Sequence, residues 1–295
     1  MFRVTKAASG GNNVNRSMIT ATNTMTQLQK QLDLIGHNMA NVNTNGYKKR
    51  DVQFGELLFQ QFNNIKAPEA ESEGRLTPAG IRQGVGARLG QTTLNLAPGA
   101  IQATNRQLDL ALTNIGQFLQ VMVEENGIQT PTLTRDGALY LSPINDGTNR
   151  VSLVTSEGHP VLDADGEPIE FLDQFKDLII SKEGRLTVNG NNGQAQNFEL
   201  SVVQVNKPQL LEAKGNNLFG LPDFEALGLD ENEVFMELNG DMRAEIGITQ
   251  GALEQSNVDM AKEMTELMLT QRSYQFNAKS ISLADQMMGL VNGIR

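Results

Sequence analysis

Few side chains in this sequence are spaced for chemistry. Asp163-Ala164-Asp165-Gly166-Glu167 clusters three carboxylates with the spacing that opens a calcium loop. In such a loop glycine stands sixth, whereas here it stands fourth between strand-like flanks, so the run predicts a hairpin tip. Gly84-Val85-Gly86-Ala87-Arg88-Leu89-Gly90 has the glycine density of a phosphate loop. Its spacing is G-x-G-x-x-x-G, and no capped amphipathic helix follows to aim amides at a phosphate, which leaves turn or bulge glycines. His159 precedes Pro160 with no serine or carboxylate that sequence can place beside it, and it reads as an exposed or hydrogen-bonded histidine. The chain has only His37 and His159 and no cysteine, so a histidine-rich metal site and thiolate chemistry are excluded. No catalytic residue, metal or cofactor is expected.

A net charge of −10 argues against nucleic acid as a partner, because neutralising phosphates takes clustered Lys and Arg. Lys48-Lys49-Arg50 is the densest basic run, and in so acidic a chain it reads as a solvated surface cluster. No apolar run approaches the roughly eighteen residues that span a bilayer, and the first twenty residues lack the apolar core of a secretory signal. Membrane insertion is not expected, and any export would proceed without a cleaved signal.

The periodic elements lie at the two ends. From Ser256 to Arg295 there is no proline, and Ser256-Asn257-Val258-Asp259 reads as a capping box at a helix start. Leu269, Phe276, Leu283 and Leu290 recur every seven residues and, with Met287 and Ile294, form one stripe. Met260, Met264, Leu267, Tyr274, Ala278, Ile281 and Met288 form a second, about 160° away at 100° per residue. A helix apolar on two nearly opposite sides needs more than one partner. Val14, Met18, Ala21, Met25, Leu28, Leu32, Ile35 and Met39 alternate steps of four and three, an unbroken heptad seam. That seam is the expected partner for one face of the C-terminal helix.

Between the ends the texture is different. Met1 to Asn13 reads as a flexible leader, or as residues from an upstream start codon or from cloning. After the heptad helix, Asn41-Val42-Asn43-Thr44-Asn45-Gly46 is a polar turn in which Gly46 can take a left-handed conformation. Phe54, Leu57, Leu58, Phe59 and Phe62 form a short apolar segment that must be covered. From Ala67 onward glycines and prolines punctuate the chain. Strands are predicted at 118–123, 138–141, 151–154, 178–180, 186–188 and 198–205, separated by Asp-Gly, Asn-Gly and Glu-Gly turns. In the last run Phe198, Leu200 and Val202 alternate, but Val203 and Val205 blur the pattern. A compact sandwich-like or barrel-like β domain is expected, with a helical turn near 224–227.

The terminal residues carry a family resemblance. Leu34-Ile35-Gly36-His37-Asn38-Met39-Ala40-Asn41-Val42-Asn43-Thr44-Asn45-Gly46-Tyr47-Lys48 resembles the N-terminal signature of bacterial flagellar rod and hook proteins, an A-N-x-x-T-x-G-Y-K turn after a helix. Gly251-Ala252-Leu253-Glu254-Gln255-Ser256-Asn257-Val258-Asp259, with Gln271-Arg272 and the residues to Lys279, is similar to their C-terminal signature. Within the family the distal-rod branch is nearest, with proximal rod and hook as alternatives. The resemblance implies a fold of class α+β. A discontinuous coiled-coil-like domain of paired terminal helices (14–66 and 246–295) forms an inner tube, and a central all-β domain (67–245) faces outward. It implies a structural, non-enzymatic subunit that polymerises with itself and meets neighbouring rod and hook proteins. It further implies passage through the flagellar type III export apparatus to an extracytoplasmic site. The competing reading, a secreted carbohydrate-binding or hydrolytic β protein with multimerising helices, is disfavoured by zero Trp and three Tyr, too few for sugar-stacking platforms.

Overall fold

A computed structural model describes residues 8–56, 60–62, 81–83, 87–125, 127–144, 147, 149–191, 194–222, 228 and 230–293. Among the described residues two long helices, α1 (Ala8–Ala40) and α2 (Met260–Gly293), bracket a region of twenty short strands, one α-helical turn, Glu231–Val234, and two 3-10 turns, Pro208–Leu210 and Gly240–Glu245. The mixed α+β class with terminal helices and a β-rich centre is therefore observed. Among the described residues no helix is long and apolar enough to cross a membrane.

α1 begins six residues before Val14, so the expected leader is helical from Ala8 on, while residues 1–7 lie outside the described residues. Once a helix is nucleated each further residue adds a hydrogen bond, and Gly10-Gly11 lower that gain without abolishing it. α2 begins at Met260, four residues later than the capping-box reading placed it. The Ser256 hydroxyl accepts the Val258 amide at 3.3 Å, and Asn257 is held from outside, which keeps this stretch non-helical.

The chain divides into two compact units, whose limits differ from the expected boundaries at 66/67 and 245/246. The first comprises residues 1–37, 52–92 and 261–295. In it the strand Arg50–Glu56 pairs with Ala87–Leu94, and Gln60–Phe62 pairs antiparallel with Ile81–Gln83. Of the apolar segment expected at 54–62, residues 57–59 lie outside the described residues, as do Gly84-Val85-Gly86 and the turn expected near 224–227.

The second unit, residues 38–51 and 93–260, is β-rich. Its six-stranded sheet runs in the order Glu212–Gly215, Leu218–Gly220, Ile128–Thr134, Gln117–Glu125, Val202–Val205, Phe235–Glu237, with every pair antiparallel. Leu119, Val121 and Val202 join a core with Leu153, Phe171, Leu178 and Leu186 from two three-stranded sheets. Phe118, Leu133, Val203, Val205, Phe219 and Phe235 form a second core. Adjacent residues of one strand thus enter different cores. The blurred alternation at Val202–Val205 is what a strand covered on both faces produces. The run expected at 198–205 is two strands, Ala195–Glu199 and Val202–Val205. Ile248–Gln250 and Ala252–Glu254 pair with Leu110–Leu112 and Ile101–Ala103, which ties the approach to α2 into this unit.

Candidate functional site

In α1 the heptad positions form one face. Ala21, Leu28 and Ile35 are buried, and Met18, Met25, Leu32 and Met39 are half-buried; the side chain of Val14 lies outside the described residues. Beside this row Gln27 turns toward the strands, its Oε1 accepting the Leu89 amide at 3.0 Å.

α2 has two unlike faces. Its inward row steps by three and four through Met260, Glu263, Leu267, Thr270, Tyr274, Asn277, Ile281, Ala284 and Met288. Glu263, Thr270 and Ala284 are buried, and the others are half-buried. Ala278 is half-buried beside that row. The opposite face exposes Leu269, Phe276, Leu283, Met287 and Leu290, with Phe276 at 68% and Leu290 at 70%. Met264, read from the sequence as a member of the second stripe, is exposed, because Glu263 occupies that step of the row instead. The polar members Glu263, Thr270 and Asn277 escape a hydrophobicity pattern, although the three-four spacing alone would have found them. On the outward side the hydroxyls of Thr265, Ser273 and Ser280 donate to the carbonyls of Ala261, Leu269 and Phe276, so their hydrogen-bonding capacity is used within the helix. Gln271 and Arg272 are exposed, and the side chain of Ile294 lies outside the described residues.

The signature residues meet in the second unit, in a joint where α1 ends and α2 is about to begin. Asn38 is buried, and its side chain exchanges hydrogen bonds with the Arg50 backbone, Nδ2 to O at 3.0 Å and N to Oδ1 at 3.1 Å, as a neighbouring strand would. Tyr47 donates its hydroxyl to the same Asn38 Oδ1 at 3.0 Å. Thr44 donates to Asn41 Oδ1, and Asn217 donates to the Asn45 carbonyl, which fixes the intervening turn; Ala40 stays exposed. Gly46 adopts φ +66°, and a Cβ there would collide with the Arg135 carbonyl oxygen. The Gly46 amide donates to the Glu254 carbonyl at 2.7 Å. Asn257 accepts the Lys49 amide at 2.7 Å and donates to the Asn95 and Ala97 carbonyls. Val258 is buried, whereas Asp259 is exposed.

At the centre lies a charge cluster that the sequence reading did not find. Lys48 Nζ stands 2.7 Å from Glu254 Oε1, and Arg135 Nε stands 2.5 Å from Glu254 Oε2, with side-chain exposures of 1%, 1% and 0% for lysine, glutamate and arginine. Lys48 also donates to the Ala97 carbonyl, and the Gly99 amide donates to Glu254 Oε1. The remaining reach of Arg135 goes to the carbonyls of Gln117, Leu112 and Asn114. Lys48 and Lys49 are therefore buried, which corrects the solvated-cluster reading of that run. An ion pair across the fold can sink a lysine that local composition assigns to the surface. Burial, reinforced by the nearby Arg135 charge, lowers the Lys48 pKa to about 8 despite the opposing pull of Glu254.

The residues with catalytic potential are occupied otherwise. Asp163 Oδ1 accepts the amides of Asp165 and Glu167, as at a hairpin tip, and His159 lies 3.5 Å from Glu157. Family models match the chain at both ends. Residues 18–48 match the family model described as Flagella basal body rod protein, and residues 249–294 match Flagellar basal body rod FlgEFG protein C-terminal. Each matched stretch joins one helix to its half of the joint. The chain is similar to the flagellar hook-basal body complex protein FlhP of Bacillus subtilis (strain 168), 45% identical over 281 residues that cover 95% of this chain and 99% of that protein. It is similar to the flagellar basal-body rod protein FlgG of Borreliella burgdorferi, 31% identical with 95% and 98% covered. FlgG of Bacillus subtilis is 30% identical, with 92% and 96% covered. The chain belongs to the flagellar basal-body rod protein family.

Proposed function

We propose that this chain is a structural subunit of the distal rod, built into a tube by its terminal helices and carrying torque through it. The observation that carries this reading is the outward face of α2, where Leu269, Phe276, Leu283 and Leu290 stand exposed at seven-residue intervals in the single chain. Apolar rows of that length on a soluble surface mark a contact with another chain. In this reading the inward row of α2 pairs with the α1 seam of the same chain, in coiled-coil fashion. The outward row meets a neighbouring subunit, a heterologous contact that continues as a helical assembly instead of closing. The backbone-bonded hydroxyls beside the row support it, because covering them strands no donor. The joint at Lys48, Glu254 and Arg135 ties the residues that follow α1 to those that precede α2, which a force-bearing subunit requires. Its contacts are other copies and the adjoining rod and hook proteins. It reaches an extracytoplasmic position through the flagellar export apparatus, and its role is structural, without catalysis.

The test is to isolate basal bodies from cells producing the chain with a small internal label and to locate the label by electron microscopy. Label on the shaft next to the hook is expected. Label along the curved hook overturns the distal-rod assignment, and absence from the organelle overturns rod membership.

A further inference from the structure

In the first unit a groove of about 500 Å³ opens between α1 and the strand Ala87–Leu94. Its walls include Gln27, Lys30 and Leu34 from the helix and Val52, Arg88 and Thr92 from the strands. Leu34 and Val52 are half-buried and give an aliphatic floor, while Lys30 and Arg88 are exposed. Among the described residues no acidic side chain lines it. Two exposed cations over an apolar floor, in a chain of net charge −10, select a short acidic peptide with small side chains.

The sequence contains one such peptide beside the groove's own strands. Residues 67–74 read Ala67-Pro68-Glu69-Ala70-Glu71-Ser72-Glu73-Gly74, with three glutamates and no cation. They fall between the paired strands Gln60–Phe62 and Ile81–Gln83, within the stretch 63–80 that lies outside the described residues. That pair is nested inside the pair Arg50–Glu56 and Ala87–Leu94, which borders the groove. Glu71 lies nine positions after Phe62, a reach of up to about 30 Å from the paired strands, long enough to meet a neighbouring chain.

We infer that the Lys30–Arg88 groove receives the acidic segment 67–74 of a second copy of this chain. The inference rests on the self-assembly reading above and names a contact separate from the α2 row. It is again heterologous, an acidic segment on one copy meeting a groove on the next, so it propagates along an assembly.

The absence of cysteine permits a direct test in the full chain. Lys30→Cys and Glu71→Cys are placed on separate copies produced together, and isolated basal bodies are run on non-reducing gels. A disulfide-linked dimer that needs both variants is expected. A chain incorporated normally but never cross-linked overturns the groove assignment, as does a doubly substituted chain that forms only an internal disulfide. Absence of the labelled native chain from basal bodies overturns the self-assembly reading and the contact with it. Charge reversal gives a second measurement. Lys30→Glu with Arg88→Glu should abolish incorporation, and Glu69→Lys, Glu71→Lys and Glu73→Lys added to that chain should restore it. Normal incorporation of the doubly reversed groove overturns the proposal.

Discussion

Glu254→Gln removes one charge from the joint and almost no volume. The carboxylate faces Lys48 at 2.7 Å and Arg135 at 2.5 Å and accepts the Gly99 amide at 2.8 Å, all out of solvent. A glutamine keeps one acceptor but turns an NH2 group toward one of two cations. Removing one partner from a buried ion pair costs about 3–5 kcal/mol, because the charge left behind stays desolvated. The two cations answer differently. Lys48, with its pKa already at about 8, can release its proton and limit its share of the penalty. Arg135 cannot, and keeps its charge among three carbonyl acceptors. The lower part of the range, about 3 kcal/mol, is therefore expected. At about 2–4 °C per kcal/mol for chains of this general size, that is about 6–12 °C in Tm. Urea unfolding of the full chain, followed by far-ultraviolet circular dichroism, measures it. Adding Lys48→Met should restore part of the loss, since one surplus cation leaves. A loss below about 1 kcal/mol for Glu254→Gln, or a further loss on adding Lys48→Met, refutes the reasoning.

Gly46→Ala meets both an unfavourable positive φ and the Arg135 carbonyl, so a loss of more than about 2 kcal/mol is expected in the same unfolding assay, and a neutral result would show that the turn can relax. Lys48 should make stability depend on pH. The unfolded chain holds this proton up to about pH 10.4, whereas the folded chain releases it from about pH 8, so the native protein should gain stability relative to Lys48→Met as pH rises through that window. Parallel pH profiles for the two proteins would remove the burial argument. Leu283→Asp lies on the exposed row, so it should change the stability of the single chain by no more than about 0.5 kcal/mol yet abolish incorporation into basal bodies. Normal incorporation would reassign that face.

The helices were legible because each writes a three-four rhythm in apolar residues, and Ala21, Leu28 and Ile35 are buried where that rhythm puts them. The strands were legible where one side chain type alternated or a turn residue stood between runs. They were missed at Leu110–Leu112 and Ile248–Gln250, three-residue elements that exist only because they pair across 130 or more residues. The signature residues stood out, but what they do did not. Asn38 stands in a helix and Asn257 in a capping-box run, and both act as substitutes for backbone partners. Lys48 looked solvated because its counter-ion is 206 residues away. Arg135, inside a Thr-Arg-Asp-Gly run, carried no local sign that it would complete the cluster. Such long-range electrostatic pairs have no periodicity to read.

The joint also bears on how such a chain can change size. Its contacts draw on residues 38–50, 95–99, 112–117, 135 and 254–257, and almost none of them on the chain from Asp136 to Ile246. That stretch leaves from Arg135 and returns toward Glu254, a closed excursion whose two ends are pinned. Closing a longer excursion costs little, about 0.6 kcal/mol for each doubling of its length. Surface turns of that stretch, such as the tip at Asp163–Glu167, can therefore be lengthened while the core strands and the contacts of the joint stay as they are.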